Sequence, residues 1–84
     1  MSSIAEVKAI LASINEDMPR ESLHATAAKF DELAQRLGTV MANTGAQDIL
    51  GAQALLKHLD DECMAMHRTM GDVVRTVDEY AGSL

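Results

Sequence analysis

The chain has 84 residues, enough for one domain with a small core, in which stability is marginal and a partner is expected. Its 13 acidic and 7 basic side chains give a formal net charge of -6, and the basic residues are scattered singly. The sequence therefore lacks the clustered Lys and Arg that bind nucleic acid or an anionic membrane surface.

The aromatic content excludes a core built on large rings. One Phe, one Tyr and no Trp leave the core to Ala, Leu, Ile, Val and Met, which favours an all-α fold over a sheet. No apolar run approaches the roughly 20 residues that span a bilayer, and no basic segment precedes an apolar block at the N-terminus. We expect a cytoplasmic protein, or one exported without a cleavable signal peptide.

The first predicted helix covers residues 3–16. Ser2 or Ser3 is the candidate N-cap, and Ser3 with Glu6 has the spacing of a capping box. The apolar positions then repeat at intervals of three and four, which is typical of an amphipathic helix. They are Ile4, Val7, Leu11, Ile14 and Met18, and Ile10 widens the stripe.

Pro19 predicts a break in the N-terminal arm, because proline lacks an N–H and disfavours helical geometry at Met18. A second helix, over residues 20–42, begins there in a different phase, and a kink in one continuous helix is the alternative. Its apolar stripe is Leu23, Ala27, Phe30, Ala34, Leu37 and Met41.

The segment Asn43-Thr44-Gly45 predicts the turn of a helical hairpin, because Asn and Gly accept the left-handed angles that end helices. Thr44 and Gln47 have the spacing of a second capping box. Gly38 is a competing end point for the second helix, in which case residues 39–47 form one longer loop.

The third predicted helix covers residues 47–80 and carries an unbroken alternation of three and four between apolar residues, which is typical of a coiled coil. This seam consists of Ile49, Ala52, Leu56, Leu59, Cys63, Met66, Met70, Val73, Val77 and Tyr80. Residues 1–84 are thus predicted to form one antiparallel helical hairpin. The first helix either continues along the lower seam or swings out to a partner.

The common enzyme motifs are absent from the sequence, and we predict a non-enzymatic protein without a cofactor. One metal-binding alternative stays open. Cys63 and His67 are four residues apart on one helix, and Glu21 with His24 forms a Glu-x-x-His step of the kind found in helical metal sites. Pairing the two arms across the turn brings His24 level with Ala65, so a site of these four residues is conceivable beside a purely structural role.

The architecture resembles that of the ESX-type helical hairpins of type VII secretion and of small actinobacterial hairpin proteins. Two helices of similar size meet at a mid-chain turn that contains Gly45. Of the Trp-x-Gly turn motif of that family only Gly45 is present, with Asn43 at the Trp position, and no acidic residue follows Tyr80. The resemblance implies a helical interaction protein linked to secretion.

The sequence as a whole predicts a helical interaction module that binds a copy of itself or another helical protein. Apolar residues beyond the seam, such as Leu50, Leu55, Met64 and Val74, exceed what one broken arm covers. We therefore expect a homodimer, most simply a four-helix bundle. The predicted contact residues are Ile49, Leu56, Leu59, Met66, Met70, Val73, Val77 and Tyr80 on the long helix, and Leu23, Phe30 and Leu37 on the second.

Overall fold

The fold is all-α, as predicted, in the computed structural model, which describes residues 3–45 and 47–84. Three helices follow in order, α1 (Ile4–Glu16), α2 (Arg20–Thr44) and α3 (Asp48–Ser83). Helices α2 and α3 therefore run a little further than the sequence pattern indicated. Ser2, one of the two candidate N-caps, lies outside the described residues.

The start of α1 is set by Ser3, whose backbone is extended at φ −72° and ψ 164°. The backbone N–H of Glu6 donates to Ser3 Oγ at 3.1 Å. One of the N–H groups left without a helical partner at a helix start is thereby satisfied. The N-cap predicted at Ser3 is confirmed.

The N-terminal arm is interrupted at residues 17–19, and Pro19 stands at the N-cap position of α2 with φ −78° and ψ 57°. The interruption is required by phase. Met18 is half-buried in line with α1, and Leu23 is the first half-buried residue of α2. In a continuous helix the side chain of Leu23 would point about 140° away from that of Met18, because each of the five residues rotates the helix by about 100°. The break lets both helices face α3.

The turn between α2 and α3 is made by Gly45, which adopts the left-handed conformation at φ 67° and ψ 18°. Its N–H donates to the carbonyl of Met41 at 2.7 Å. Thr44 is the last residue of α2, and its hydroxyl donates to the carbonyl of Val40. The second capping box predicted at Thr44 is therefore wrong, because the N-cap of α3 is Gln47, which makes no side-chain capping bond.

Helix α2 packs along the first part of α3 and α1 along the last part, so α1 continues along the long helix rather than swinging away. The hairpin measures 65 × 16 × 14 Å and is two helices thick. Within the described part of the chain only Ala27, Ala34 and Cys63 are buried, and all three side chains are small. No helix among the described residues is long and apolar enough to cross a membrane.

Candidate helical interface

The apolar positions of α3 divide between two sides of the helix. We call Ile49, Leu56, Cys63, Met70 and Val77 the inner row, because each is buried or half-buried. The second inner row is Gln53, Asp60, His67, Val74 and Ala81, all half-buried. The outer row is Ala52, Leu59, Met66, Val73 and Tyr80, and all five are exposed.

The outer row differs from the sequence prediction, which placed it in the same seam as the inner row. Met66 is 50% exposed and Tyr80 is 55% exposed, and Leu59 and Val73 are also open to solvent. The hairpin instead uses the two inner rows, which are also spaced four and three residues apart. An apolar pattern shows which positions of a helix are apolar. It does not show which of them pack against the neighbouring helix of the hairpin and which face outward.

Two amides hold the second inner row against the N-terminal arm. Gln53 Nε2 donates to the carbonyl of Ala34 at 3.1 Å. Its side chain passes directly over Gly38, where a Cβ would lie 2.9 Å from Gln53 Nε2. The absence of a side chain at Gly38 therefore leaves room for the amide. Sequence reasoning missed Gln53, and the signal for it is Gly38, which lies inside α2 rather than at the helix end that its residue type also predicts.

Asn15 makes the corresponding contact between α1 and α3. Its Nδ2 donates to the carbonyl of Val74 at 3.2 Å and to Asp78 Oδ1 at 2.9 Å. Asn15 Oδ1 is buried and has no hydrogen-bond partner among the described residues. The contact thus fixes the register of α1 by a polar side chain that the apolar pattern had ignored.

A nearly uncharged surface extends from the outer row. We define the outer face as the outer row together with Leu55, Glu62, Thr69 and Thr76, which lie beside it on α3 and are all exposed. Leu55 is the most exposed of its large apolar members, at 67%. Glu62 is its single charged residue, and Glu62 Oε1 lies 2.9 Å from Nε2 of His58. The outer face has the composition of a helix–helix contact.

Helix α2 continues this surface. A groove of about 510 Å³ lies between the start of α2 and the middle of α3, and Thr26 and Met66 both line it. Leu33 and Val40 follow Thr26 at intervals of seven residues and therefore lie on the same side of α2. They line a second apolar groove, of about 380 Å³, with Leu56.

Helix α1 adds Ile10 and Ile14, which are 57% and 45% exposed. Ile10 comes three positions after Val7, and Ile14 comes three positions after Leu11. Val7 and Leu11 both face inward. Leu33 has the same relation to the inward-facing Phe30. Because α1 and α2 both run antiparallel to α3, equal offsets place these residues on the same side of the hairpin. One long apolar side therefore joins all three helices.

The candidate metal ligands are only partly brought together. His24, Cys63 and His67 line one cavity of about 220 Å³, and the two imidazole centroids are 6.4 Å apart. The predicted proximity of α2 and α3 at this level is thus observed. Glu21 lines a different cavity, beside Pro19. Within residues 3–45 and 47–84 no group of three or more His, Cys, Asp or Glu side chains is placed to hold a metal ion.

The remaining electrostatic contacts lie on solvated helix surfaces. Lys29 Nζ bonds to Glu32 Oε2 at 2.8 Å. This hydrogen bond, together with the positive charges of Lys29 and Arg36, lowers the pKa of the Glu32 carboxyl. Arg75 lies 3.3 Å from Asp72 and 3.9 Å from Glu79. Exposed pairs of this kind contribute little to stability.

Comparison of the chain with family models, with curated proteins and with solved structures finds no match.

Proposed function

We propose that the protein is a non-enzymatic helical interaction module that is completed when helices of another chain cover its outer face. The observation that supports this is the size of the core. The buried side chains in the described part of the chain are two alanines and one cysteine, whereas Ile10, Met66 and Tyr80 are at least half exposed.

The accessible area supports the same proposal. A folded monomer of 9.0 kDa is expected to expose about 4,900 Å². The hairpin exposes 6081 Å², an excess of about 1,200 Å². A specific interface of standard size removes about 800 Å² from each partner. The excess is therefore large enough to supply one such interface.

The experiment compares two methionines that lie two residues apart. Met66 is on the outer face and 50% exposed, whereas Met64 is 52% exposed and lines the cavity with His24 on the opposite side. We expect wild-type protein to sediment as an oligomer at tens of micromolar. Met66→Glu should dissociate it, because a carboxylate is costly in an apolar contact, and Met64→Glu should not. Leu55→Glu and Ile10→Glu should act like Met66→Glu.

A different outcome of this experiment would also support the proposal, if the partner of the module is a different protein. The wild type would then sediment as a monomer that binds an apolar dye, and Met66→Glu would reduce the dye signal more than Met64→Glu. A well-folded species of about 9 kDa without dye binding would overturn the proposal.

A metal-binding bundle is the second candidate function, because His24, Cys63 and His67 share one cavity. Their nitrogen and sulfur atoms suit Zn²⁺ or Cu⁺. Either ion should raise the melting temperature if it binds the folded chain, and a chelator should reverse the rise. An unchanged melting temperature at metal concentrations well above micromolar would leave these residues with structural roles.

The link to type VII-like secretion is a separate proposal, supported by the two-helix architecture and the Gly45 turn. Gene neighbourhood tests it directly. A secretion ATPase encoded beside this chain would support the link, and co-expression would then show whether the chain is exported.

A further inference from the structure

We propose that the partner on the outer face is a second copy of this chain, with the two α3 helices antiparallel and Met66 on the two-fold axis. The inference rests on the proposed function and deepens it by naming the partner and the register. Met66 lies at the middle of α3, which spans Asp48–Ser83. A two-fold axis at that point overlaps the full length of both long helices.

The outer row is self-complementary about Met66. Antiparallel pairing at this register places each residue opposite the one equally far on the other side of Met66. Leu59 then faces Val73 of the second copy, which are side chains of similar size. Ala52 faces Tyr80, so the smallest residue of the row lies opposite the largest. Such pairing fills the contact without steric conflict and repeats identically on both sides of the axis, as a two-fold interface requires.

The N-terminal arms fit the same register. Asn15 lies level with Val74 and Asp78 of its own α3, and Ala34 lies level with Gln53. Reversal about Met66 therefore brings α1 of one copy beside the C-terminal half of α2 of the other. Ile14 comes level with Leu33 of the second copy, and Ile10 comes level with Arg36, between Leu33 and Val40. One groove, lined by Leu33, Arg36, Leu37, Val40 and Leu56, receives these isoleucines.

Charge also permits this arrangement. Glu62 is the one charged residue of the outer face, and reversal places it level with Met70 of the second copy, next to Thr69, rather than opposite the other Glu62. The two Glu62 positions are about 12 Å apart along the helix axis. That separation exceeds the screening length of about 8 Å at physiological ionic strength, so repulsion between them is weak.

Disulfide cross-linking tests the register in a Cys63→Ala background, which removes the native thiol. Met66→Cys alone should cross-link to itself under mild oxidation. Leu59→Cys and Val73→Cys, each with a tag of different mass, should cross-link to each other in an equal mixture and not when oxidised separately. Met64→Cys is the matched control, and its thiol should remain free.

The outcomes separate this inference from the proposed function. If the wild type is a dimer and Leu59→Cys fails to cross-link to Val73→Cys, the register is wrong and the interaction module stands. If the wild type is a monomer that binds dye at the outer face, the second copy is the wrong partner. A compact monomer that binds no dye overturns both. Cross-links in the expected pairs, with a sedimentation mass of two chains, support both.

Discussion

At the scale of single residues, polar side chains set the alignment of the hairpin more than apolar ones do. Apolar contacts between helices tolerate small sliding motions, whereas a hydrogen bond requires its partner within a few tenths of an ångström. Two such bonds hold the hairpin, one near each end of the molecule. Gln53 of α3 donates to a carbonyl of α2, and Asn15 of α1 donates to a carbonyl of α3. Replacing either is expected to loosen its own arm.

Asn15→Asp should weaken the docking of α1. The substitution removes the donor to Val74 and places a carboxylate beside Asp78, which now accepts from Asn15 at 2.9 Å. We expect a loss of about 1–3 kcal/mol in unfolding free energy, measured by chemical denaturation. Adding Asp78→Asn supplies an amide donor and should recover part of the loss. Equal stability of the single and double variants would contradict this account.

Lys29→Ala should raise the pKa of the Glu32 carboxyl toward its ordinary value, because Lys29 supplies the hydrogen bond and the nearer charge that lower it. In the wild type, this pair stabilises the folded chain where Glu32 is ionised, and the effect is lost as the pH falls through the lowered pKa. NMR titration of the Glu32 side chain measures the shift. Lys57→Ala removes a charge that does not contribute to this shift, and it should leave the pKa of Glu32 unchanged.

At the scale of helices, the relation between Gly38 and Gln53 decides how α2 and α3 approach. A helical glycine costs about 1 kcal/mol relative to alanine. Here it leaves room for Gln53, whose amide would lie 2.9 Å from an added Cβ. Helix propensity and hairpin packing therefore favour different residues at this position.

Gly38→Ala should consequently gain little stability in the wild-type chain, since the Gln53 amide must move and its bond to Ala34 is strained. In a Gln53→Ala background the conflict is gone, and the same change should stabilise by about 1 kcal/mol. Thermal or urea unfolding of the four variants gives the coupling. Equal gains in both backgrounds would show that Gln53 does not restrict the site.

The helices and their break were predictable because the signals are local. Ser3, Pro19 and Gly45 act through their own backbone geometry, and the phase change across Pro19 is visible in the spacing of apolar residues. The division of α3 into inner rows and an outer row was not predictable. Either of two faces of α3 is apolar enough to pack against α1 and α2. Which face does so depends on the hydrogen bonds of Gln53 and Asn15, and these polar residues are not part of the apolar pattern.

At the scale of the molecule, charge and apolar area act in opposite directions on self-association. Each chain carries a formal net charge of -6, so two copies repel at long range. The outer face contributes only Glu62 to this charge, which leaves burial of apolar surface as the attraction. The proposed dimer would therefore be a bundle with an acidic exterior.

Raising the salt concentration from 0.1 to 1 M should tighten self-association. The screening length falls from about 10 Å to about 3 Å, which weakens repulsion between the acidic exteriors and leaves apolar contacts in place. Sedimentation equilibrium at both concentrations measures the change. An interface held by ion pairs would respond in the opposite direction, so weaker association at 1 M would contradict the assignment of the outer face.

The small core has a kinetic consequence. A single hairpin in which Ala27, Ala34 and Cys63 are the only buried residues among those the structure describes has little to protect it from local opening, and an opened helix is a substrate for proteases. Binding at the outer face lowers the population of open chains in proportion to partner concentration. When the partner is a second copy, the lifetime of the chain therefore lengthens as its own concentration rises. Chains at low concentration are degraded first, so proteolysis sets a lower limit on the concentration at which the protein persists.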